Sequence, residues 1–93
     1  MGKYLIMLSK QAKIDLKTIK QSGRVSDIRK IETFLHEMEN DPRKGTGSPE
    51  QLRYFDGEIW SRRINKKDRL VYEIFDNEVL ITIIQAIGHY EDK

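Results

Sequence analysis

The apolar residues change period partway along the chain, and the change divides it into two kinds of element. Tyr4 to Leu8 is a short apolar run that reads as a buried strand. Ala12, Leu16 and Ile19 then fall at i, i+4 and i+7, one stripe of a helix. Ser9 precedes the stripe as an N-cap, and Gly23 closes it in the left-handed C′ position. A second helix starts near Ser26 and carries Ile28, Ile31, Leu35 and Met38 on one side. Asn40 and Pro42 stop it, because proline disfavours helix at the residue before it. The short link makes the two an αα-hairpin. Their charged faces, His36 included, read as solvated surface.

Residues 41–49 contain two glycines, two prolines and no hydrophobe, so they form a loop. Gly45-Thr46-Gly47 is not a phosphate-binding P-loop, since no Gly-Lys-Ser/Thr follows it. Beyond the loop the period is that of strands. Leu52 to Phe55 and Ile59 to Ile64 flank Asp56-Gly57, a hairpin turn. Asn65 to Asp68 turns into Arg69 to Phe75, and Asp76-Asn77 turns into Val79 to Ile87. The expected fold class is α+β: an N-terminal strand, an αα-hairpin, then a largely antiparallel sheet with the helices on one face.

Strand alternation sets where side chains point. Trp60 and Ile64 belong under the helices, which sends Arg63 to the open face. Leu70, Tyr72 and Ile74 form one row and Arg69 has the opposite parity. Arg62 shares the parity of Trp60 and is expected near an edge with its head in water.

Composition narrows the class. Ninety-three residues, 38% hydrophobic and 34% charged, suit one folded domain spanning 1–93. There is no cysteine, hence no disulfide or thiolate–metal site, which fits a reducing compartment. The N-terminal apolar run is too short for a signal peptide, and no stretch reaches the roughly 18 residues of a membrane span. A cytoplasmic protein without membrane partners is expected. The net charge of +2 is unevenly spread. Residues 59–70 hold Arg62, Arg63, Lys66, Lys67 and Arg69 against Asp68 alone, a patch suited to a polyanion.

The candidate chemistry lies in the second half. Glu50 follows Pro49 at a loop–strand junction, Arg63 and Arg69 converge on one face, and His89-Tyr90 follows the last strand. A carboxylate can take a proton, a histidine can give one near neutrality, and arginine forks neutralise phosphate bidentately. Taken singly, each residue has a plainer explanation. Glu50 is surface, Arg63 and Arg69 pair with Glu58 or Glu73, and Tyr90 caps the core. Lys44, Arg53, Lys66 and Lys67 read as solvated charges, or as phosphate contacts without sequence preference. No His/Asp/Glu cluster has ligand spacing, so no metal and no cofactor is expected.

Together these segments carry a family resemblance. Gly45-Thr46-Gly47-Ser48-Pro49-Glu50-Gln51-Leu52, Trp60 to Ile64, Arg69 to Tyr72 and His89-Tyr90 resemble the YoeB/Txe toxins of the RelE/ParE superfamily. The resemblance covers residues 45–90 well, and the first 40 only as strand–helix–helix. It implies a ribosome-dependent mRNA endonuclease of a type II toxin–antitoxin module, acting in the A site. It implies Glu50 as general base, Arg63 and Arg69 on the phosphate, His89 as general acid, and Tyr90 on the substrate. Arg62, Arg53, Lys66 and Lys67 join the expected substrate-binding set. It also implies a YefM/Phd-like antitoxin as partner, the ribosome with its mRNA, and a toxin homodimer. The family ends at His-Tyr, whereas Glu91-Asp92-Lys93 follow here, and those acids are expected to favour a protonated His89. Two alternatives stay open: a ParE-like toxin that inhibits gyrase by binding, and a non-catalytic RNA-binding domain using the basic hairpin alone.

Overall fold

The computed structural model describes residues 3–88. Strand β1 (Leu5–Leu8) is followed by helices α1 (Lys10–Ser22) and α2 (Val25–Asn40). Strands β2 (Glu50–Leu52), β3 (Glu58–Arg63), β4 (Arg69–Phe75) and β5 (Leu80–Gln85) complete the chain, with a 3-10 turn at Asp76–Glu78. They form one five-stranded sheet in the order β1-β5-β4-β3-β2. Only β1 and β5 run parallel, the first strand against the last. The fold is α+β with a largely antiparallel sheet, as the alternation predicts.

The helix ends obey local chemistry. Ser9 Oγ accepts from the Ala12 N–H at 3.0 Å and donates to the Ile84 carbonyl at 2.7 Å, so one hydroxyl caps α1 and pins it to β5. Gly23 takes φ 76°, where a side chain would be strained. The buried stripe of α2 is Ile31, Phe34 and Met38, with Ile28 and Leu35 half-buried beside it. These pack with Ala12 and Ile19 on Ile64, Leu70, Tyr72, Ile74, Ile81 and Ile83. Trp60 rests on the same core.

Three expectations are corrected here. β2 starts at Glu50 rather than Leu52, and residues 53–57 form a wider loop than a two-residue turn. That loop lets Phe55 fold onto the open face of the sheet, over Leu52, Ile59 and Val71, with Ile84 beside it. The open face therefore carries a small apolar floor. The last strand starts at Leu80 because Val79 leaves the 3-10 turn at φ 50°. It stops at Gln85 because side chains, not a neighbouring strand, take the next N–H groups. The helix faces are also not uniformly solvated: Asp15 and Asp27 are buried. Among the described residues no helix is long and apolar enough to cross a membrane.

Candidate functional site

The loop that delivers Glu50 is wrapped around an arginine. Arg62 lies within β3 and its side chain is fully buried. Its Nε donates to the Tyr72 hydroxyl at 3.2 Å. One Nη donates to Glu37 Oε1 at 2.7 Å and to the Thr46 carbonyl, the other to the carbonyls of Pro42 and Lys44. All five guanidinium donors are thus engaged, and the cation lies 5.8 Å from the Phe34 ring centroid and 5.9 Å from that of Tyr72. The expectation of a head in water is wrong for Arg62. Its parity put it under the helices, and the loop carbonyls bring the polar partners inside. With no donor left over, it drops out of the substrate-binding set.

The same wrapping explains the glycines. A Cβ on Gly45 would run into Glu37 and Arg62, and one on Gly47 into the Phe34 ring. Both have positive φ, and Ser48 follows at φ 52°. Glu37 accepts from Arg62 and from both the N–H and hydroxyl of Thr46. Burial pulls its pKa up, but those donors outweigh it and hold the carboxyl below its ordinary value. Finally the Gly47 carbonyl accepts from the Arg63 N–H at 2.7 Å, which ties the loop to the end of β3.

Glu50 then opens β2 opposite Ser61, which is itself opposite Val71. Arg63 and Arg69 are direct cross-strand partners two positions along. All of these share the open face by parity, so Glu50, Arg63 and Arg69 lie toward the same end of the apolar floor. Diagonal neighbours on such a face lie about 7–8 Å apart, within reach of long side chains. Glu50 and Arg63 are exposed and Arg69 is half-buried. Glu58 is not their counter-ion. It is held by Arg43 at 2.6 and 2.8 Å and by the Trp60 indole N–H.

The basic β3–β4 turn has an acidic interior. Asn65 Oδ1 accepts from the N–H groups of Lys67 and Asp68, and its amide donates to Asp27 and Asp68. Lys66 and Lys67 project outward, as does Arg53 from the β2–β3 loop. Asp68 is buried, which raises its pKa, but the Gly88 N–H, the Asn65 amide and Arg24 outweigh that and leave it lowered. Asp68 Oδ1 takes the Gly88 N–H at 2.9 Å, and the Arg69 N–H donates to the Gly88 carbonyl at 3.2 Å. Asp15 Oδ2 takes the N–H groups of Ala86 and Ile87 at 3.0 and 3.2 Å, while its Oδ1 accepts from Gln11. His89, Tyr90 and the acids of residues 91–93 lie outside the described residues. Among the described residues no group of three His, Cys, Asp or Glu side chains could hold a metal ion.

Glu37, Asp15, Asp27 and Asp68 were not among the candidate site residues. Asp15 lies between Ala12 and Ile19 on the apolar stripe, at helical spacing from each, and that position is the signal for its burial.

Solved structures define the class. The chain superposes on the YoeB dimer of Staphylococcus aureus with a TM-score of 0.79, at 33% identity over 96% of this chain and 100% of that one. A heterotetrameric YoeB–YefM complex from the same organism matches with a TM-score of 0.77 at 32% identity, again over 96% and 100%. The archaeal RelE–RelB complex of Pyrococcus horikoshii, at 19% identity and a TM-score of 0.71 over 92% of this chain and 94% of that one, shares the fold. The family model for the YoeB-like toxin of bacterial type II toxin-antitoxin systems matches residues 9–90, and this chain belongs to that family. Among its relatives, Toxin YoeB of Mycobacterium bovis is 42% identical over 62 residues, covering 67% of this chain and 71% of that protein. Toxin YoeB of Synechocystis is 39% identical over 64 residues, covering 69% and 72%.

Proposed function

We propose that this YoeB-family toxin is a ribosome-dependent mRNA endonuclease, one catalytic domain that needs no cofactor. What carries the proposal is the convergence of Glu50, Arg63 and Arg69 on one end of the open sheet face. Two arginine forks side by side at the end of a sheet face suit a phosphodiester, whose non-bridging oxygens can each accept from one of them. Glu50 takes the proton of the 2′-hydroxyl as its oxygen attacks the adjacent phosphorus. Arg63 and Arg69 neutralise the charge that grows on the phosphorane oxygens. His89 gives a proton to the departing 5′-oxygen, and Tyr90 contacts the substrate. The P–O5′ bond breaks, leaving a 2′,3′-cyclic phosphate on one fragment and a 5′-hydroxyl on the other. Support for His89 in this role comes from Gly88, the residue before it, whose backbone is bonded to that of Arg69.

Arg53, Lys66 and Lys67 contribute exposed charge for ribosomal and messenger phosphates, with no sequence preference of their own. A YefM/Phd-like antitoxin covers the basic face, and the toxin forms a homodimer. Both follow from the complexes its relatives form. The site is assembled for the cytoplasm, where translating ribosomes are.

The test is cleavage of mRNA on purified ribosomes stalled at a defined codon, mapped by primer extension. Glu50→Gln and His89→Gln run beside the parent. A cut within the A-site codon that either substitution slows by about 10²–10⁴-fold supports the proposal. Intact mRNA with folded parent protein overturns it and directs attention to gyrase binding.

A further inference from the structure

Three consecutive peptide N–H groups, those of Ala86, Ile87 and Gly88, are each taken by a side-chain carboxylate. They lie past the end of β5, where a chain leaving a sheet ordinarily gives its amides to water and frays. Here Asp15 reaches them from α1, 71 and 72 residues away, and Asp68 from the β3–β4 turn. Both carboxylates are buried, and burying a charge is unfavourable unless good donors compensate it. These side-chain acceptors take the place of a neighbouring strand's carbonyls and hold the segment after the ladder has ended. Gly88 is gripped on both sides, its N–H by Asp68 and its carbonyl by the Arg69 N–H. It adopts φ +81° with open space where a Cβ would stand. Glycine is needed there for the turn of the backbone and not for room.

We infer that Asp15 and Asp68 are positioning residues, fixing the point from which the C-terminal His-Tyr pair departs relative to Arg69. The inference rests on the assignment of His89 as the acid. Neither aspartate touches the substrate. They act through the peptides they hold, and an acid whose anchor loosens loses rate without losing substrate binding.

The experiment compares Asp15→Ala, Asp68→Ala and the conservative Asp15→Asn and Asp68→Asn in single-turnover cleavage on saturating stalled ribosomes. Asparagine keeps an oxygen for the peptide N–H, and alanine does not. The alanine variants are expected to cleave about 10–100-fold more slowly, with half-saturating ribosome concentration unchanged, and the asparagine variants to recover most of the loss. Hydrogen exchange at Ala86, Ile87 and Gly88 should quicken at least about 10-fold in the alanine variants, while β3 and β4 stay protected. Gly88→Ala is the second variant, since it strains the same turn and leaves both carboxylates and the core in place. Its rate should fall likewise. A parental rate in Gly88→Ala, or in a folded alanine variant whose 86–88 amides have loosened, overturns the inference. His89→Gln separates the two levels. If it cleaves like the parent, the acid assignment falls and takes the inference with it. If it is slow while Gly88→Ala is not, the inference alone falls.

Discussion

Arg62 and Arg63 are adjacent, chemically identical and opposite in surroundings. Arg62 is fully buried with every donor occupied, so removing its head takes a donor from the Thr46, Pro42 and Lys44 carbonyls and from the Tyr72 hydroxyl, and removes the cation paired with Glu37. Arg62→Ala should cost about 3–5 kcal/mol in urea unfolding, the range for breaking a buried pair. Arg63 is exposed and faces Arg69 directly. Arg63→Ala should leave stability within about 0.5 kcal/mol of the parent, as for other exposed side chains. Its cleavage rate should still fall about 10²–10³-fold, as for other charge-stabilising groups in a transition state. The same urea titration and ribosome assay on both variants separates the two. Sequence parity gave the right face for both residues, but not the burial of the Arg62 head. What it did not contain is that the 42–46 loop would carry its carbonyls to Arg62, because that contact spans up to 20 residues of irregular chain.

The elements were legible wherever one residue's local chemistry decides them. Ser9, Gly23 and Pro42 mark helix ends because capping and φ limits act within a turn. The row Leu70, Tyr72, Ile74 follows from alternation alone. The less legible parts were set across the molecule. Asp56-Gly57 has the composition of a tight hairpin, yet Phe55 finds cover on the open face and widens the loop. β5 ends where Asp15 begins to hold the chain. Ser9 belongs to both groups, since its hydroxyl caps α1 and also donates to Ile84. Ser9→Ala should cost about 0.5–2 kcal/mol, toward the upper end because two bonds are lost, measured by thermal unfolding.

At the scale of the whole molecule, acids tie helices, loop and strands together. Glu37, Glu58 and Asp68 each have a lowered folded-state pKa, through Thr46 and Arg62, through Arg43, and through Gly88, Asn65 and Arg24 respectively, in the last and first case against burial. A carboxyl depressed on folding stabilises the protein at pH values above its unfolded pKa. That stability disappears as pH falls through the folded value. Unfolding free energy should therefore be nearly flat down to about pH 4.5 and decline below it, the window set by ordinary carboxylates near 3.9–4.3 and their lowered folded values. Urea titrations between about pH 7 and pH 2.5 would show it. A decline centred near pH 6.5 would point to histidine instead.

The parallel pairing of β1 with β5 has a consequence for how the chain is made. β5 is the last of the described strands along the chain, yet it sits between β1 and β4. Until it emerges, β1 has no neighbour in the sheet, and Ser9 and Asp15 lack their partners at Ile84, Ala86 and Ile87. The sheet therefore closes only when β5 enters it, and contacts this distant in sequence form late.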